Sequence, residues 1–93
     1  MAASKEFNTG ASQSVSTDEL FIKSVTLTAD SANDASLVLY CSTSQVKLKL
    51  AAAKGTSFQW KSNAGGHAFA AATFPGPVVI DVVGTGAFAR IDL

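Results

Sequence analysis

From residue 20 onward, short apolar runs are separated by Ser, Asn, Asp and Gly at intervals of roughly 8 to 12 residues, the spacing of a sandwich or barrel. This punctuation predicts an all-β domain. The first run, residues 21–28, sets Phe21, Val25 and Leu27 on one face and Ser24, Thr26 and Thr28 on the other. Residues 37–41 are continuously apolar, which suits a central strand covered on both faces. Val46, Leu48 and Leu50 alternate with Lys47 and Lys49, giving a core face and a wet face.

Residues 51–54 are too few for a stable helix and read as a strand end or a single turn before Gly55. Alternation resumes over 56–61 and places Phe58 and Trp60 together, followed by a flexible turn at 63–66. Residues 67–74 read as a strand, stopped by Pro75-Gly76-Pro77. Two stronger strands, 78–83 and 87–93, flank Gly84-Thr85-Gly86, whose glycines can supply the positive φ of a tight hairpin. Six or seven short strands over residues 20–93 predict a compact antiparallel β-sandwich, jelly-roll-like or Ig-like.

Residues 1–19 differ in texture. They are rich in Ser, Thr, Ala and Asn, hold only Phe7 and Val15 as larger apolar groups, and show no sustained period. They read as an extended N-terminal arm, either frayed or ordered on a neighbouring subunit with Phe7 as its anchor. Phe7 and Val15 are therefore candidate assembly contacts, and Trp60 is a third.

Composition narrows the function. A chain of 93 residues makes one domain, and 47% hydrophobic residues with a mean hydropathy of +0.26 exclude wholesale disorder. Seven Lys plus Arg balance seven Asp plus Glu, so the excess positive charge that nucleic-acid binding requires is missing. No apolar stretch marks a signal peptide or a spanning helix, which predicts a protein soluble where it is made and not bound to a membrane. Cys41 stands alone, so no disulfide closes within the chain, and its period with Leu37 and Leu39 makes it a small core residue.

Chemistry finds little purchase. His67 is the one side chain with an ordinary pKa near neutrality, but no Ser, Asp or Glu lies at triad spacing from it. The Asp30 and Asp34 stretch fits Asx turns better than a calcium loop. Metal signatures built from Cys and His are missing, and Gly84-Thr85-Gly86 lacks the helix and Lys of a phosphate cradle. No cofactor is expected. Trp60 with Phe58 suits core or interface packing, with a sugar-stacking platform as the functional alternative.

Four segments carry a resemblance: Val-Thr-Leu-Thr-Ala at 25–29, the aliphatic-Tyr strand at 37–40, Leu-Lys-Leu-Ala-Ala-Ala-Lys-Gly-Thr-Ser at 48–57, and Val-Gly-Thr-Gly-Ala at 83–87. Over residues 21–93 the chain resembles the small β-sandwich virion proteins of tailed bacteriophages, of the capsid decoration or cement type. The resemblance implies a structural, non-catalytic protein, made in the host cytoplasm and carried on the virion surface. It would bind the major capsid protein as an oligomer, a homotrimer by analogy. The alternative it leaves is a carbohydrate- or receptor-binding module such as a small tail- or fibre-associated protein.

Overall fold

Alternation of side chains is written directly into the burial of the chain. In the strand Ala35–Cys41, residues 35, 37, 39 and 41 are buried and the three between them are half-buried. A computed structural model describes residues 4–42, 45–62 and 72–93. Those residues form ten strands and no helix: β1 (Ser4–Asn8), β2 (Gly10–Ser16), β3 (Leu20–Ile22), β4 (Ser24–Thr28), β5 (Ala35–Cys41), β6 (Gln45–Ala52), β7 (Ser57–Lys61), β8 (Ala72–Phe74), β9 (Val78–Val83) and β10 (Phe88–Asp92). The protein is all-β, as its punctuation predicts.

The strands make three antiparallel sheets. Sheet I has the order β1-β10-β4-β7, sheet II the order β2-β9-β5-β6, and β3 pairs with β8 in a short third piece. One core lies between sheets I and II. Val25, Leu27, Ala89 and Ile91 reach it from sheet I, and Leu37, Leu39, Val78, Ile80 and Val82 from sheet II. Full burial of each large aliphatic stabilises the fold by about 1.5–3 kcal/mol. Ile22 and Phe74, from the β3–β8 pair, complete the core.

Several expectations change in the folded chain. Within the 1–19 stretch, residues 4–8 and 10–16 are extended but do not stand clear as an arm: β1 pairs with β10 and β2 pairs with β9 of its own chain. Backbone pairing explains why a segment poor in large apolar residues is nonetheless ordered, since each edge strand satisfies its ladder on a buried neighbour. Lys5 faces inward from β1, and its Nζ donates to the Val15 carbonyl at 2.6 Å. Its aliphatic stem closes the gap between the first two strands while the charge stays at the rim.

Residues 78–83 and 87–93 form strands, yet they are no hairpin. β9 lies in sheet II and β10 in sheet I, so the Gly84-Thr85-Gly86 link crosses from one sheet to the other. Val78, Ile80 and Val82 thereby face Ala89 and Ile91 through the core, where a hairpin would have set them side by side. Gly84 has φ 122°, and a Cβ there would collide with the Asp34 carbonyl oxygen. Only glycine fits that crossing.

The 21–28 run is broken at Lys23, where the chain leaves the β3–β8 pair for sheet I. Ile22 consequently enters the core and Phe21 points out, 54% exposed. In β6, the register shifts between Leu39 and Tyr40: Leu48 is opposite Leu39, but Val46 is opposite Tyr40. The extra residue, Lys47, is a β-bulge that reverses the facing of everything before it. Leu50 is buried and Leu48 packs against the core as expected, whereas Val46 is 52% exposed on the outer face. Lys47 instead brings its Nζ within 6.0 Å of the Phe74 ring centroid.

Other expectations hold. Residues 51–54 finish β6 and turn at Gly55, β8 stops before Pro75, and Cys41 is buried. The Asx turns expected at Asp30 and Asp34, which would bond the amide two residues on, do not form: Asp30 accepts from the Ser31 amide at 2.7 Å and from the Asn33 side chain at 3.2 Å, and Asp34 from the distant Lys54 amide at 2.8 Å. His67 and the turn at 63–66 lie outside the described residues.

Candidate interaction surface

Each sheet has one face on the core and one outside, and antiparallel partners point to the same side. The outer face of sheet I can therefore be read from its register in three rows across β1, β10, β4 and β7. They are Asn8, Phe88, Thr28, Ser57; then Glu6, Arg90, Thr26, Gln59; then Ser4, Asp92, Ser24, Lys61. Only Phe88 among these is a large apolar residue. The polar groups engage one another: Arg90 Nε donates to Asp92 Oδ1 at 3.0 Å, Ser24 Oγ to Asp92 Oδ2 at 2.8 Å, and Gln59 Nε2 to Thr26 Oγ1 at 3.4 Å. Such a face is at ease in water.

Sheet II presents a different outside. Its rows across β9, β5 and β6 are Val79, Tyr40, Val46; then Asp81, Val38, Lys49; then Val83, Ser36, Ala51. Four valines and a tyrosine share this face, and Val46 and Val83 are 52% and 58% exposed. Two charges interrupt it. Asp81 Oδ1 accepts from the Ser12 amide, and its carboxylate neighbours Tyr40. Hydrogen bonding to Asp81 raises the Tyr40 pKa above its ordinary 10.0, with desolvation and the negative charge of Asp81 acting in the same direction. Lys49 stands on the far side of Val38 and forms no ion pair among the described residues.

The three contacts expected from the sequence lie elsewhere. Val15 is 3% exposed and belongs to the core; Phe7, opposite Ala89, packs against that core, and so does Trp60. These side chains are occupied by their own chain, because β1, β2 and β7 direct them inward. Trp60 is half-buried and meets Phe74 edge to face with ring centroids 6.1 Å apart, a favourable aromatic packing geometry. Phe58, two residues earlier on the same inward side, reaches the open edge of the sandwich and is 47% exposed.

Sequence reasoning misses the sheet II face for two reasons. Simple alternation puts Val46 inside, because the bulge at Lys47 carries no residue signal, and the continuous apolar run of β5 reads as covered on both sides. The signal that is available is the absence of any charged residue at the outward positions Ser36, Val38 and Tyr40.

Chemical groupings are sparse around this surface. Among the described residues no group of three or more His, Cys, Asp or Glu is placed to hold a metal ion, and no helix is long and apolar enough to cross a membrane. Comparison of the chain with known protein families, with characterised proteins and with solved structures gives no match.

Proposed function

We propose that this protein is a structural component of a virion, of the capsid decoration type, which binds the capsid as an oligomer held together through the outer face of sheet II. The observation that carries the reading is that face: four valines and a tyrosine, two of the valines more than half exposed, on a domain whose other outer face is polar. A small domain with exposed apolar rows gains by covering them, and lasting contact with other chains is the way a structural protein does so.

Strand order supports the same reading. Setting aside the short β3–β8 pair and counting the eight remaining strands in sequence, the sheets run 1-8-3-6 and 2-7-4-5. We infer that this is the jelly-roll arrangement, in which consecutive strands alternate between two sheets except for one central hairpin, here β5–β6, and an Ig-like order is set aside. Jelly rolls are used by viral capsid proteins, lectins and cupins, so the topology is compatible with shell building and with sugar binding. Trp60, the side chain that motivates sugar binding, is packed on Phe74, which favours the shell. Catalysis has no part in the proposal.

Co-sedimentation with phage heads that lack their decoration protein tests it. Saturable binding of the folded wild-type chain, with greater resistance of the heads to heat, is expected. Failure of folded protein to sediment with such heads at any concentration would refute the assignment.

A further inference from the structure

The rows of sheet II carry a pattern that selects one occupant. In the middle row Asp81, Val38 and Lys49 lie on three adjacent strands, so the two charges flank the valine on opposite sides at one level of the sheet. A second copy laid face to face would be related by a two-fold axis lying in the interface, and aligned packing of the two sheets sets that axis either near the strand direction or near the perpendicular to it. With the axis across the strands, each strand lies over its own counterpart, bringing Asp81 onto Asp81 and Lys49 onto Lys49. Like charges meet.

With the axis along β5, the flanking strands exchange. Asp81 then faces Lys49 of the second copy, and Lys49 faces its Asp81. Val79 falls over Val46, Val83 over Ala51, and Val38 and Tyr40 meet their own counterparts along the axis. Every charge has an opposite partner and every valine an apolar one. The normal offset of about 30° between stacked sheets displaces the outer rows most and the middle row, which passes through the centre of the contact, least.

We propose that the outer face of sheet II binds a second copy of this chain, with the two-fold axis along β5 and Asp81 of each copy paired with Lys49 of the other. The contact is self-complementary and closes at two chains. It differs from the trimer implied by the phage resemblance, which would need head-to-tail contacts. Asp81 is prepared for the role: the Ser12 amide donates to its Oδ1 before any partner arrives. Lys49 brings the opposite charge on a flexible stem.

This inference rests on the reading of the sheet II face as an assembly surface, and its test contains no phage particle, so loss of self-association and loss of head binding are read separately. Sedimentation equilibrium is run on five samples: wild type, Lys49→Glu, Asp81→Lys, an equal mixture of those two variants, and Lys61→Glu, each checked by circular dichroism. Wild type should be dimeric. Each variant alone should dissociate at least about tenfold more readily, because it sets like charges face to face. The mixture should recover dimers, since the carboxylate introduced at position 49 of one variant meets the ammonium introduced at position 81 of the other, while the native pair is kept on the opposite side. Lys61→Glu, on sheet I, should leave the dimer unchanged and serves as the charge control. A wild-type monomer at millimolar concentration, a trimer, or a dimer insensitive to Lys49→Glu would each overturn the proposal. Should Asp81→Lys not fold, Lys49→Glu and wild type still decide it.

Discussion

Sheets I and II are alike on the inside and unlike on the outside. Both send alternating aliphatic residues into one core, Val25 and Leu27 from β4 answering Leu37 and Leu39 from β5. Outward, β4 shows Ser24, Thr26 and Thr28, while β5 shows Ser36, Val38 and Tyr40. The inner faces answer to folding, because any strand of a two-layer domain must bury one side. Folding places no such demand on the outer faces, where water accepts Thr26 at least as readily as Val38. An apolar outer face on only one of the two layers therefore points to something other than the fold of the single chain.

The comparison breaks first if the inner faces are not equivalent. Leu27→Asp in sheet I and Leu39→Asp in sheet II should each unfold the domain, since both side chains are fully buried and an unpaired carboxylate there costs more than about 4 kcal/mol. Loss of the far-ultraviolet β spectrum in both would agree. Survival of either would show that its sheet contributes less to the core than described.

The bulge offers a sharper cut within a single strand. Leu50→Asp should destabilise by about 3 kcal/mol or more, while Val46→Asp should stay within about 0.5 kcal/mol in urea unfolding of dilute, monomeric protein. Simple alternation along β6 would make the two equally damaging. Equal damage would remove the bulge and return Val46 to the core.

On the outer faces, Val38→Lys should weaken self-association by at least about tenfold, and Thr26→Lys, at the matching place on sheet I, should leave it unchanged. Both should fold normally. If Thr26→Lys proved the more disruptive in sedimentation, the assignment of the two faces would be reversed.

The smallest effect concerns Tyr40. Its pKa in the folded chain is raised above 10.0 by Asp81, so the stabilisation from this bond is complete below pH 10 and is lost as pH rises through the raised value. Wild type should lose stability in that alkaline range relative to Tyr40→Phe, measured by thermal unfolding from pH 9 upward. Parallel curves for the two would show that the bond contributes nothing.

Much of this architecture is legible in residue order. Alternating or continuous apolar runs locate β4, β5, β6, β7, β9 and β10, and the stop at Pro75 follows from side-chain chemistry. What escapes is non-local. β1 and β2 are strands because β10 and β9 offer them open edges, and Ser-rich residues 10–16 do not advertise that. The Gly84-Thr85-Gly86 link suits a hairpin and a crossing equally well; the Asp34 carbonyl pressed against Gly84 decides it, from a distant part of the sequence. Of the surface, the unpunctuated apolar run at 37–41 is visible, but its outward half reads as buried. Phe7, Val15 and Trp60 draw notice as scarce large residues, and scarcity is also why the core claims them.

The central claim, that the sheet II exterior is made to be covered and the sheet I exterior is not, is tested most directly by following the methyl and amide resonances of labelled protein on dilution. Shifts that depend on concentration should be confined to Val38, Tyr40, Val46, Lys49, Val79, Asp81 and Val83, with Thr26, Gln59 and Arg90 unmoved. Changes centred on sheet I, or spectra that do not vary from micromolar to millimolar concentration, would contradict it.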